Sequence, residues 1–120
     1  VGLSRSKALA VLDLAAHIQD GRLPLHELHH LSDDEVVSLL VPVRGIGVWT
    51  AQMFLIFSMG RLDVLPVDDL GFRAGVQSVY GLPELPDRAS LRERAEAWKP
   101  YRSLATWYFW RGGSNVPLVK

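Results

Sequence analysis

Apolar residues recur along this chain at intervals of three and four, the spacing of one helical face. Leu9, Leu12 and Ala16 predict a first helix over about 4–20, stopped near Gly21. Pro24 suits the first turn of a short helix through Leu28. Ser32-Asp33-Asp34-Glu35 reads as a capping box, with Leu31 and Val36 as its hydrophobic staple, opening a helix to about Leu40 that Pro42 ends. From Val48 to about Met59, a buried face of Ala51, Phe54, Leu55 and Ser58 predicts the next helix, with Gly60 as its C-cap. Residues 63–67 are apolar and interrupted by Pro66, an extended connector. A helix then starts near Asp68 or Asp69, faces inward with Phe72, Val76, Val79 and Tyr80, and stops at Gly81. Pro83 and Pro86 mark a loop. Ser90-Leu91-Arg92-Glu93 reads as a second capping box, before a helix with Leu91, Ala95 and Trp98 inward. A last helix begins at Pro100, buries Tyr101, Leu104, Ala105, Tyr108 and Phe109, and closes at Gly112-Gly113. The pattern predicts an all-α helical bundle with short connections.

Composition narrows the class. The chain has 120 residues, 48% of them hydrophobic and 22% charged, which suits one globular region. No apolar run reaches the ~18 residues of a membrane span. The absence of Cys excludes disulfides and thiolate metal sites. The formal net charge of +0 argues against gripping nucleic acid by bulk charge, but not against binding through backbone amides and a few local cations. The sequence opens on Val1 in what already reads as the start of a helix, as expected of a processed product or a piece of something longer.

The segment Val41-Pro42-Val43-Arg44-Gly45-Ile46-Gly47-Val48-Trp49-Thr50 carries the most chemistry. A tight Gly45-Ile46-Gly47 turn that feeds a helix directs N–H groups at one spot, and the helix adds its positive end, so an anion can sit there without Lys or Arg. One reading is a plain turn between packed helices. The other is a hairpin whose amides at Gly45, Gly47 and Trp49 face a phosphate backbone, with the Thr50 hydroxyl beside them. Backbone carbonyls at Val41, Val43 and Ile46 could hold a monovalent cation that stiffens the turn. Asp68-Asp69 is either a helix cap or a partly buried acid in a cleft. Trp107 and Trp110 fall off the apolar stripe of the last helix, where an indole could face a flat or cationic ring. His26, His29 and His30 have the spacing of metal ligands but no matching carboxylate, and a solvated face is the plainer reading. Arg44, Arg73, Lys99, Arg102 and Arg111 are scattered cations whose roles the sequence does not rank.

Residues 40–51 (LVPVRGIGVWTA), 63–71 (DVLPVDDLG) and 98–103 (WKPYRS), in this order and with these gaps, resemble the helix-hairpin-helix DNA glycosylases. The closest branch is the alkylpurine type, the DNA-3-methyladenine glycosylase II group. The resemblance runs over nearly the whole chain, from Leu3 to Trp110. It implies one glycosylase region over 1–120 with the hairpin at about 40–58, part of a larger two-subdomain fold whose upstream helices are not in this sequence.

The resemblance assigns the essential acid to Asp69, with Asp68 as the fallback. It implies phosphate contacts at Gly45, Gly47, Trp49 and Thr50, and a base pocket of Trp49, Met53, Leu70 and Trp110. Met53 and Leu70 stand where the best-known bacterial member has aromatic residues, which implies a differently shaped pocket. Strand-cleaving members carry a Lys two residues after the second hairpin Gly. Here that residue is Trp49, so no Schiff base and no lyase step is expected. The expected function is hydrolysis of the N-glycosidic bond of alkylated purines of the 3-methyladenine type in damaged duplex DNA, by base flipping. No cofactor is required, although a structural Na or K ion at the hairpin fits. The expected partners are DNA and the N-terminal part of the same protein, with no membrane, in the bacterial cytoplasm or the eukaryotic nucleus. The alternative is a non-enzymatic helix-hairpin-helix module that only binds DNA, in which Asp69 is a cap and Trp110 is core.

Overall fold

A computed structural model describes residues 4–112. They form six α-helices and two short 3₁₀ segments, with no strand among the described residues. The chain divides after Met59 into two compact units.

The first unit starts with α1, Arg5–Gln19, capped by the Ser4 hydroxyl, which accepts the Lys7 N–H at 3.2 Å. The apolar spacing located this helix but not its buried side. Leu12 is 66% exposed, and the buried residue is His17, whose Nδ1 bonds to the Asp13 carbonyl at 2.9 Å. The short helix after Pro24 is a 3₁₀ segment, Leu25–His30, with Leu28 buried. Helix α2, Asp33–Leu40, opens with the expected capping box: the Glu35 N–H donates to Ser32 Oγ at 3.1 Å and the Ser32 N–H to Glu35 Oε1 at 2.9 Å. That backbone donor holds the Glu35 carboxyl below its usual range. Helix α3, Val48–Phe57, packs against α2 and buries Ala51 and Leu55. Its buried face is narrower than the pattern suggested, because Ser58 lies past the helix and is exposed.

In the second unit a connector with Val64, Pro66 and Val67 buried leads to α4, Leu70–Tyr80. Gly81 ends α4 at φ 66°, a left-handed C-cap that glycine adopts without strain. Helix α5, Arg88–Ala95, runs into a 3₁₀ turn at Glu96–Trp98, and α6 spans Arg102–Gly112. Val67, Phe72, Val76, Leu91 and Phe109 form the core, with Phe72 edge-on to Phe109 at 6.1 Å between ring centroids. Helices α4 and α6 approach closely because Gly75 has no side chain: a Cβ there would stand 1.9 Å from the Phe109 carbonyl oxygen. Val79 and Tyr80, expected inside, are 41% and 46% exposed, and Gly75 takes the place facing α6.

Two expectations need correction. Helix α5 is capped by Asp87, whose carboxylate accepts the Ser90 N–H at 2.8 Å. A stronger cap three residues earlier turns Ser90 into a first-turn residue, and the second capping box does not form. On α6 the buried stripe is Ser103, Thr106 and Phe109, whereas Tyr101, Leu104 and Tyr108 are about half exposed. The hydroxyls bury because each finds partners: Thr106 Oγ1 donates to the Arg102 carbonyl at 2.8 Å and Ser103 Oγ to the Arg61 carbonyl at 2.7 Å. Gly113, the second half of the expected stop, lies outside the described residues.

Candidate functional site

The hairpin occupies residues 41–47, and its amides can be accounted for one by one. The Val43 N–H donates to the Leu40 carbonyl and the Ile46 N–H to the Val43 carbonyl, each at 3.0 Å. The Arg44 N–H donates to Asp13 Oδ2 at 2.8 Å. Among the described residues, Gly45 and Gly47 keep amides with no acceptor inside the protein, and both residues are exposed. Gly45 sits at φ 86°, with Ala10 Cβ only 3.2 Å from where its own Cβ would be, so the turn requires glycine twice over. Gly47 is extended and is the N-cap of α3, which has no side-chain cap. Ser4, Ser32, Asp69 and Asp87 cap α1, α2, α4 and α5 with side chains; α3 is left open. Trp49 and Thr50 lie exposed in its first turn, and Met53 is half-buried one turn after Trp49. One lone pair of the Val43 carbonyl is taken by Ile46, and the carbonyls of Val41 and Ile46 belong to the same turn.

In the second unit the two acids separate. Asp68 is exposed and paired with Arg88, its Oδ1 2.5 Å from Nε. Asp69 is half-buried and caps α4. Its Oδ2 accepts the Phe72 N–H at 2.7 Å and the Trp110 indole N–H at 2.6 Å. Trp110 packs against the core cluster and reaches Asp69 over Gly71, where a Cβ would lie 3.4 Å from Asp69 Oδ2 and 3.5 Å from Trp110 Cδ1. Leu70, the first residue of α4, is 66% exposed. The structure thus brings Asp69 and Trp110 together and gives Asp68 a different partner.

Several cations have structural employment. Arg102 binds Asp63 through Nε at 2.8 Å, Nη2 at 3.1 Å and its own N–H at 3.1 Å, which holds the Asp63 carboxyl below its usual range. Arg73 donates to the Pro86 carbonyl, Lys99 pairs with Glu96, and Arg111 lies 5.0 Å from the Trp107 ring centre. Ser103 Oγ accepts the Val64 N–H at 2.8 Å and thereby ties α6 to the connector that leads to Asp69. The Asp63–Arg102 and Val64–Ser103 bonds each span 39 residues, and no local spacing signals either pairing. His26, His29 and His30 are exposed on the 3₁₀ segment. No group of three or more His, Cys, Asp or Glu positioned for a metal occurs among the described residues.

No family model matches the chain. Individual proteins do. The chain is 36% identical to DNA-3-methyladenine glycosylase 1 of Schizosaccharomyces pombe, over 99% of this chain and 53% of that protein. It is 34% identical to the putative DNA-3-methyladenine glycosylase YfjP of Bacillus subtilis, over 90% and 38%. Its fold superposes on the S. pombe 3-methyladenine DNA glycosylase solved in complex with abasic DNA, with a TM-score of 0.85 at 34% identity over 99% of this chain and 58% of that one. A DNA-3-methyladenine glycosidase from Bacillus halodurans gives a TM-score of 0.87 at 37% identity, over 95% and 52%. The all-helical fold and its hairpin are those of the helix-hairpin-helix DNA glycosylases. Along nearly all of its length the chain is similar to DNA-3-methyladenine glycosylases. It spans about half the length of the first relatives it matches.

Proposed function

We propose that this protein releases alkylated purines from duplex DNA as a monofunctional, hydrolytic glycosylase, with Asp69 as its catalytic carboxylate. The observation that carries the reading is the Asp69 carboxylate, fixed through one oxygen by Phe72 and Trp110 at the start of α4. The target base leaves the stack before reaction. An N3- or N7-alkylated purine already carries positive charge and departs without much acid assistance. The bond from C1′ to the base nitrogen breaks, and its electron pair leaves with the base. Asp69 stabilises the cationic sugar and orients the water that adds to C1′ and gives up a proton. The indole faces of Trp49 and Trp110 each suit a cationic ring, and Met53 and Leu70 are the further base-contacting residues that the resemblance implies. Trp49, standing where a lyase would carry Lys, leaves the reaction without an amine nucleophile.

The hairpin binds the DNA backbone through the amides of Gly45 and Gly47, with Trp49 and Thr50 beside them. The similarity to a glycosylase solved on abasic DNA supports this. A Na or K ion held by the Val41, Val43 and Ile46 carbonyls fits this turn, since neutral backbone oxygens can replace a monovalent ion's hydration shell. The region that the relatives have beyond the shared half is the expected intramolecular partner.

The alternative, a module that only binds DNA, draws on Asp69 being the cap of α4. Asp69→Asn separates the two readings because Asn caps as well as Asp. In the full-length protein the change removes base release and leaves DNA affinity nearly intact. If release survives it but not Asp68→Asn, the acid is Asp68. If release survives both, the protein is not this enzyme.

A further inference from the structure

Asp13 is an acid that the proposed chemistry does not use, and it contacts the hairpin directly. It sits midway along α1 with its side chain 34% exposed. Its Oδ2 accepts the Arg44 N–H at 2.8 Å, across 31 residues of sequence. Its Oδ1 lies 3.6 Å from His17 Nδ1, and that ring is itself bonded to the Asp13 carbonyl at 2.9 Å. One turn earlier on the same helix, Ala10 Cβ lies 3.2 Å from where a Cβ on Gly45 would stand. Helix α1 therefore holds the turn at Arg44 by a hydrogen bond and leaves little room for a side chain at Gly45. Directly after Arg44 come the amides of Gly45 and Gly47, which have no acceptor among the described residues.

A carboxylate this close to a phosphate-binding turn is electrostatically unfavourable for an anionic ligand. Its geometry offers a compensating role. The bond from Asp13 gives the Arg44 amide an acceptor, which the amides of Gly45 and Gly47 in the same turn do not have among the described residues. It also fixes the plane of the Val43–Arg44 peptide, and so the direction of the amides that follow.

We infer that Asp13 is a positioning residue of the DNA-binding hairpin, needed for its acceptor geometry and in spite of its charge. The inference rests on the proposed reading of the hairpin as a phosphate grip. The two are tested together by equilibrium binding of the full-length protein to a duplex with an abasic-site analogue, at one fixed salt concentration. Asp13→Asn keeps an oxygen acceptor in place and removes the charge; it binds at least as tightly as the wild type. Asp13→Glu keeps the charge but moves the acceptor by one methylene; it binds about tenfold more weakly, as expected for losing one well-made hydrogen bond to a charged acceptor. Asp13→Ala weakens binding similarly, with a thermal melt confirming that it is folded. If the acid acts only as a surface charge, Glu binds like the wild type and Ala binds more tightly, and either result overturns the inference. Asn weakening as much as Ala overturns it too. Gly47→Asp reports on the underlying reading: if it binds DNA as well as the wild type, the phosphate grip itself is wrong. If Gly47→Asp weakens binding while Asp13→Glu does not, the inference about Asp13 fails alone.

Discussion

Helices α3 and α4 both begin after a turn flanked by apolar residues, and their first turns are built in opposite ways. The start of α3 is Gly47, with no side-chain cap and exposed amides before it. The start of α4 is Asp69, a carboxylate that accepts one amide of its own helix and one indole N–H from α6. Both starts carry the partial positive charge of a helix dipole. The start of α3 has no side chain against that charge; the start of α4 has the carboxylate of Asp69. Under the proposed function the first is a binding site and the second the seat of the catalytic carboxylate, and a single residue at each start makes the difference.

Exchanging those residues tests the comparison. The largest expected effect is at Asp69. Asp69→Asn lowers the single-turnover rate of base release on the order of 10²–10³-fold, measured on a duplex carrying one alkylated purine. The melting temperature stays near that of the wild type, because the cap is kept. Asp69→Ala loses activity to the same extent and about 1 kcal/mol of stability besides.

Next is Gly47→Asp, which gives α3 the cap it lacks. The backbone there is extended and the space beside it open, so the side chain fits. Duplex affinity falls about tenfold or more through repulsion of phosphate, while a chemical melt records a gain of a few tenths of a kcal/mol. Binding and stability move in opposite directions, which a merely disruptive mutation does not produce.

Trp110→Phe keeps an aromatic face and removes the N–H to Asp69. A loss of about tenfold in kcat with little change in KM is expected from steady-state kinetics, since one donor to a charged acceptor is lost.

The smallest effect concerns the connector that carries Asp69. Asp63→Ala breaks three bonds to Arg102 in a partly exposed pair, and about 1 kcal/mol is lost in urea melts. Because Arg102 lowers the Asp63 pKa in the folded state, the pair's contribution is complete above the unfolded carboxylate pKa of about 4. It fades as pH falls through the lower folded value, so the gap between variant and wild type closes in acid.

Local chemistry was legible in the sequence, and long-range pairing was not. The Ser32 capping box and the Gly81 stop are written within a few residues, and both form. The Gly45 turn was legible for the same reason. On α6 hydrophobic spacing alone points to the wrong stripe. Ser103 and Thr106 are buried by virtue of carbonyl and amide partners that no spacing rule supplies. Gly75 on α4 gives no hydrophobic signal, and its role shows only where α6 lies against it. At the candidate site, the Asp pair and Trp110 stood out, but not that one acid would hold the indole and the other Arg88. Asp13 and Arg44 were separate features of the chain until the fold joined them.

The most direct test of the divided roles is a crossed measurement on the full-length protein. Duplex affinity and single-turnover base release at saturating protein are determined for Gly47→Asp and Asp69→Asn side by side. The account predicts that Gly47→Asp loses affinity and, once saturated, retains most of the release rate, while Asp69→Asn keeps its affinity and loses release by at least a hundredfold. Equal losses of affinity and rate in both variants, or release that survives in Asp69→Asn, would contradict it.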